Sequence, residues 1–246
     1  MDLLALLPTL ADEANEIIWI FGAYLDEMHD YPELDEIMKP DRKKVVVAAG
    51  SGLEVLFDND FAAAVFVGDL DGNMSPETKE ILRENIGDSN YSVILPENKD
   101  ETDTFAAAKH IIGVLQNDLS PLVIYGGVGG DFGHTFANIQ MLKYIAEQKY
   151  FGVLRGGATI LAAIPPKGKY HSIRFAPPVG SYFSIFAMTN TAKVTVRGSE
   201  YDGDNITLSS NFPKGARNKT KLKQVNITVT SGIVLLSYTD PRDVDF

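Results

Sequence analysis

The stretch YGGVGGDFGHTFAN, Tyr125 to Asn138, packs five glycines into nine residues. It closes the apolar run PLVIYGG (Pro121–Gly127) and leads into TFANIQMLKYIAEQ (Thr135–Gln148), whose apolar residues recur every three or four positions. A short Val/Ile-type run bounded by glycine reads as a buried strand, and the three-to-four spacing reads as an amphipathic helix. Strand, glycine turn and helix in succession form the repeating unit of a parallel α/β sheet. The helix start carries unpaired N–H groups, and glycine lets an anion approach them. By itself the loop fits both a phosphate cradle and a flexible turn. No Gly-Lys-Ser/Thr follows it, and Phe132 occupies the last glycine position of a GxGxxG begun at Gly127.

Upstream, the same alternation repeats. EIIWIFGA (Glu16–Ala23), KKVVVAAGSG (Lys43–Gly52), AAAVFVGD (Ala62–Asp69) and YSVILP (Tyr91–Pro96) read as buried strands. SPETKEILREN (Ser75–Asn85) has a Ser cap followed by Pro at the first helical position, and DTFAAAKHIIGVLQN (Asp103–Asn117) has helical spacing. Downstream of about residue 150 the helical period stops. KYHSIRFAPP, SYFSIFAM, AKVTVRGS, DNITLSS, KQVNITVTSG and GIVLLSY are short strands separated by Gly, Asn, Asp and Pro. The expected architecture is α/β: an open, doubly wound, mostly parallel sheet domain over residues 1–150, followed by an all-β sandwich domain over residues 151–246.

Composition narrows the functional classes. The net charge is −11, but residues 1–150 hold 27 Asp/Glu against 10 Lys/Arg, whereas residues 151–246 hold 6 against 12. An acidic surface argues against a nucleic-acid partner, which needs clustered cations. The basic stretch Lys214–Lys223 reads as a solvated hairpin tip. The absence of cysteine removes disulfides and thiolate chemistry and fits a reducing, cytoplasmic setting. MDLLALLPTLADEAN reads as a helix rather than a signal peptide, and no run is long enough to span a membrane.

Two acidic turns follow strand ends. VFVGDLDG (Val65–Gly72) sets Asp69 and Asp71 two residues apart, and two carboxylates 4 Å apart repel by about 4 kcal/mol at an effective dielectric near 20. A hard cation such as Mg²⁺ would remove that repulsion and then bind phosphate oxygens; a polar turn leading to the Ser75 cap accounts for the same residues. PENKDETDTF (Pro96–Phe105) supplies Lys99, Asp100, Thr102, Asp103 and Thr104, with Thr102 or Asp103 available as a helix cap.

In this order, the pieces resemble the thiamine pyrophosphokinase (thiamine diphosphokinase) family. The matching residues are GDLDG at Gly68–Gly72, KDETDT at Lys99–Thr104 and GGVGGDFGH at Gly126–His134; in the second half they are FSIFA at Phe183–Ala187, RGSEY at Arg197–Tyr201 and SSN at Ser209–Asn211. The resemblance implies Mg²⁺-dependent transfer of a pyrophosphoryl group from ATP to thiamine, giving thiamine diphosphate and AMP, in a homodimer with substrate sites near the subunit interface. By position it implies metal ligation by Asp69, Asp71 and Asp103. It places Lys99, Thr102, Gly129, Gly130, Phe132, His134 and Asn138 around the nucleotide, and Ser210 and Asn211 beside thiamine.

The chain departs from the family pattern at four points. Gly50 stands where the strand-end motif has an acid, Asp131 where the glycine loop has an arginine, and Gly133 where that loop has an aspartate; GDLDG lacks the serine after its second acid. VFVGDLDGNMS also resembles the nucleophile motif of haloacid-dehalogenase-type phosphatases, with Asp69 as nucleophile and Asp71 as acid/base. A pterin pyrophosphokinase and a catalytically degenerate dimeric binding protein are the remaining alternatives.

Overall fold

A computed structural model describes residues 17–22, 34, 44–70, 74–85, 92–115 and 120–240. The expected N-terminal helix and Asp71 lie outside the described residues. In chain order the elements are β1 (Ile17–Phe21), β2 (Lys44–Ala49), α1 (Gly52–Asp58), β3 (Val65–Gly68), α2 (Pro76–Asn85), β4 (Ser92–Ile94), α3 (Asp103–Leu115), β5 (Leu122–Tyr125) and α4 (Phe132–Glu147). They continue as β6 (Gly152–Gly156), β7 (Thr159–Ile164), β8 (Ser172–Phe175), β9 (Tyr182–Ala187), β10 (Thr191–Arg197), β11 (Gly203–Ser209), β12 (Asn218–Lys219), β13 (Val225–Ser231) and β14 (Val234–Thr239).

Ten strands make one sheet in the order β12-β9-β14-β7-β6-β5-β1-β2-β3-β4, and four make a second in the order β11-β10-β13-β8. From β6 to β4 every neighbouring pair is parallel; from β6 to β12 every pair is antiparallel. The chain steps outward from β1 through β4 and then returns to lay β5 on the other side of β1. That reversal opens a crevice at the carboxyl ends of the central strands, where such sheets bind ligands.

Alternating side chains send the large sheet into two cores. On one face Ile18, Ile20, Val47, Val67, Leu122 and Ile124 pack beneath α3 and α4, which contribute Ala106–Ala108, Ile111, Met141, Leu142 and Ile145. On the other, Trp19, Phe21, Val46 and Phe66 meet Leu53 and Leu56 of α1. The same core continues under the antiparallel half, where Ile160, Ala162, Leu236, Phe183 and Ile185 face Ile173, Phe175, Val194, Val196, Ile227 and Val229 of the second sheet. At about 25 cal/mol per Å² of apolar surface, each fully buried Ile or Phe contributes roughly 1.5–3 kcal/mol. No helix among the described residues is long and apolar enough to cross a membrane.

Several local expectations need correction. The large sheet crosses residue 150 without a break, because β6 adds a sixth parallel strand beside β5 and β7 extends it. Neither GVLRG nor the Ala-rich TILAAI shows strand alternation, since both faces are buried. Helix α1, seven residues long, is too short to display a period. Helix α4 begins at Phe132 rather than near Thr135, because Asp131 caps it. The stretch Lys214–Lys223 is not a free hairpin tip: Asn218 and Lys219 form edge strand β12 and pair with Phe183 and Tyr182.

Candidate functional site

The carboxyl ends of β2 and β3 come together at two glycines. A Cβ on Gly68 would lie 2.9 Å from the Gly50 Cα, so the strand ends touch backbone to backbone. The Gly50 N–H donates to the Val67 carbonyl at 2.9 Å, and the Leu95 N–H to the Gly68 carbonyl at 2.9 Å. This packing carries Asp69 into the protein, where it is 5% exposed. The turn that follows is tied to α1: the Ser75 N–H donates to Glu54 Oε2 at 3.2 Å. Burial works to raise the Glu54 carboxyl, but hydrogen bonds with Thr78 and Ser75 and the charge of Lys79 outweigh it and hold the group below its ordinary range. Ser75 Oγ caps α2 by accepting the Thr78 N–H at 3.0 Å, as the sequence pattern implied.

At the next strand end Thr102, not Asp103, caps α3: its Oγ1 accepts the Phe105 N–H at 3.2 Å. Asp103 sits in the first turn of α3, where the helix dipole favours a carboxylate. Its Oδ1 lies 3.1 Å from the Lys99 ammonium, and the same ammonium pairs with Asp69 Oδ2. Two carboxylates from separate elements thus converge on one cation. Asp103 Oδ2 rests over Gly50; a Cβ there would stand 3.0 Å from Asp103 Cγ, and Gly50 has φ +55°.

Across the crevice the glycine loop is fastened by side chains of α4. The Asp131 carboxylate accepts the His134 N–H at 3.1 Å. A Cβ on Gly133 would lie 2.8 Å from that carboxylate, so glycine leaves the cap its room. Thr135 Oγ1 accepts from the Gly129 N–H at 3.2 Å and donates to the Gly129 carbonyl at 3.1 Å, while Asn138 Nδ2 donates to the Gly127 carbonyl at 3.0 Å. Gly129 and Gly130 adopt φ +113° and +61°, conformations that side-chain-bearing residues rarely adopt. The loop is therefore a set shape rather than a slack turn. Between loop and acids lies a crevice of about 250 Å³ bordered by Ala49, Lys99, Thr102, Asp103, His134 and Asn138, among others.

Residues 39–152 match the family described as thiamin pyrophosphokinase, catalytic domain. The chain resembles the thiamin pyrophosphokinases. Its fold is that of the solved thiamin pyrophosphokinase from Geobacillus thermodenitrificans, with TM-score 0.70 and 19% identity over 93% of this chain and 100% of that one. The thiamin pyrophosphokinase from Candida albicans superposes with TM-score 0.69 and 14% identity, covering 96% of this chain and 92% of that one. For the yeast enzyme the values are 0.67 and 16%, covering 94% and 88%. No curated protein sequence matches the chain.

Of the residues that the resemblance marks, the structure gathers Lys99, Thr102, Asp103, His134 and Asn138 around the crevice, with Asp69 joined through Lys99. Asn138 and Thr102 spend a hydrogen bond on loop and helix, so they act at least partly by positioning. Phe132 points outward, 76% exposed, and stacks on Phe136 with centroids 6.2 Å apart. Ser210 and Asn211 sit in the exposed turn after β11 and do not border the crevice. Among the described residues no three His, Asp or Glu side chains form a metal-holding group. Thr104, which the same acidic segment supplied as a candidate, also borders the crevice, whereas sequence reasoning missed Glu97 and Glu101 as wall residues; position inside the acidic segment was their only signal. It also missed the capping role of Asp131, for which an Asp three residues before the His134 N–H was the available clue.

Proposed function

We propose that the chain is a thiamine diphosphokinase, transferring a pyrophosphoryl group from ATP to the hydroxyl of thiamine in a Mg²⁺-dependent reaction that yields thiamine diphosphate and AMP. The observation that carries this reading is the convergence of Asp69 and Asp103 on a single cationic position, facing a preformed glycine loop at the switch point of a parallel sheet. Hard carboxylate oxygens reaching one point suit Mg²⁺, so the residues fit the ion. Asp69 and Asp103 would hold it together with Asp71, and its chemistry would be to neutralise charge on the phosphate oxygens.

The loop backbone at Gly129 and Gly130 would receive phosphate at the start of α4. Lys99, Thr102, His134 and Asn138, which line the crevice, would face the nucleotide, and Phe132 would join them by turning its exposed ring inward. In the transfer, the acceptor hydroxyl oxygen bonds to the β-phosphorus and releases its proton to water as the bond from that phosphorus to the bridging oxygen breaks, and AMP departs with that oxygen. Such transfer depends on positioning and charge neutralisation more than on covalent help from the protein. Ser210 and Asn211, outside the crevice lining, would hold thiamine in a cytoplasmic homodimer that brings the sandwich half of one subunit to the crevice of its partner.

One observation favours a second reading, a degenerate binding protein: where the family has an arginine, Asp131 is committed to capping α4. Calorimetry with Mg-ATP and thiamine, followed by an AMP-release assay, separates the two. Thiamine-dependent AMP release is the expected result; binding without turnover would favour the second reading, and phosphate release from phosphomonoesters would favour a phosphatase.

A further inference from the structure

We propose that Lys99 is a positioning residue acting as an internal counter-cation: it holds Asp69 and Asp103 together while no divalent ion is present, and turns its ammonium to phosphate when Mg²⁺ and nucleotide bind. The inference rests on the proposed function and names how that site is regulated. Two withdrawn carboxylates need a cation at all times, since each is destabilised by the other's charge. Asp69 and Lys99 have side chains only 6% and 14% exposed, so water screens them poorly. A divalent ion bound to the same two acids would repel the ammonium, and the flexible four-carbon stem of lysine lets the charge relocate. Lys99 is the one Lys or Arg among the described residues that line the crevice, so its ammonium is the lysine or arginine charge there that can turn to a phosphate.

Gly50 completes the device. In the resembling family an acid stands at this position, whereas here Asp103 Oδ2 occupies the space that such a side chain would need. The missing acid leaves one lysine to face two carboxylates, and the missing loop arginine leaves that same lysine as the cation available for phosphate. One residue thus covers two charge deficits in turn.

The test uses Mn²⁺ as probe on the full chain. Electron paramagnetic resonance titration without nucleotide should show Lys99→Met binding Mn²⁺ at least tenfold more tightly than wild type, with Lys99→Arg close to wild type. With Mn²⁺ saturating, the Lys99→Met affinity for ATP should fall at least tenfold. These opposite signs set the latch apart from structural damage, which would weaken both; Lys99→Gln serves as a second variant should the Met form not fold. Unchanged or weaker Mn²⁺ binding by a folded Lys99→Met or Lys99→Gln, beside a wild type that releases AMP with thiamine, would overturn the latch alone. If neither wild type nor variant binds Mn²⁺, with or without ATP, the functional reading falls with it.

Discussion

Asp202, in a turn of the antiparallel half, and Asp103, at the start of α3 in the parallel half, are held in opposite ways. Asp202 is grasped by its own turn: the Gly198 and Ser199 N–H groups donate to it at 3.0 and 2.7 Å, and the Ser199 hydroxyl at 2.9 Å. Burial works to raise its carboxyl, but the Ser199 and Gly198 backbone bonds, the Ser199 hydroxyl and the charge of Arg197 more than offset this and hold it below the ordinary value of 3.8. Asp103 Oδ1 instead faces the end of a long lysine side chain shared with Asp69. A carboxylate fixed by backbone donors cannot be recruited without breaking the turn. One balanced by a flexible ammonium can exchange that partner for another cation, and under the proposed function that difference separates a structural acid from a metal-binding one.

The largest expected effect that sharpens this contrast is on turnover. Asp69→Asn and Asp103→Asn should each lower thiamine-dependent AMP release by more than about 10²-fold, because charge neutralisation dominates phosphoryl chemistry; Asp202→Asn should leave it within about twofold. Steady-state assays of the three variants under one set of conditions check this. Stability should reverse the ranking. Asp202→Ala orphans two N–H donors in buried residues and should cost about 1–3 kcal/mol in urea denaturation. Gly50→Ala should cost about 1–2 kcal/mol, through its positive φ and the pressure on Asp103, and this is measured in the same way.

The parallel and antiparallel halves also differ in how much of them was legible from sequence. β1, β2, β3 and β5 announce themselves as apolar, Val/Ile-rich runs ending at glycine, β4 as one ending at Pro96, and α2 by its Ser-Pro start, because each local preference agrees with the fold. β6 and β7 stay hidden: burial on both faces erases alternation, and only their pairing with β5 and β14 defines them as strands. At the site, the spacing of KDETDT and the glycine loop pointed to residues that the fold gathers around one crevice. What spacing could not show was the choice of Thr102 over Asp103 as cap, or Lys99 between two acids, since both follow from three-dimensional approach. Asp131 carries the same lesson: as a bare substitution it looks like a reversed charge, and in the fold it is a cap matched to Gly133.

A weaker prediction concerns pH. Because the folded Asp202 carboxyl lies below its ordinary value, the unfolded chain binds more protons as acid is added. The stability that Asp202 contributes is therefore complete above about pH 4 and is lost as pH falls through the folded value. The gap in urea midpoint between wild type and Asp202→Asn should narrow from pH 6 to pH 3. Smallest of all, Lys143→Ala removes an exposed pair with Glu147 at 3.9 Å and should change stability by less than about 0.5 kcal/mol.

The most direct test of the contrast between fixed and exchangeable acids is a crystal structure grown with Mg²⁺ and a non-hydrolysable ATP analogue. One ion bridging Asp69 and Asp103, with the triphosphate along the Gly129–Gly130 backbone, is the expected result. Both carboxylates still closed on Lys99, with the nucleotide bound elsewhere, would contradict it.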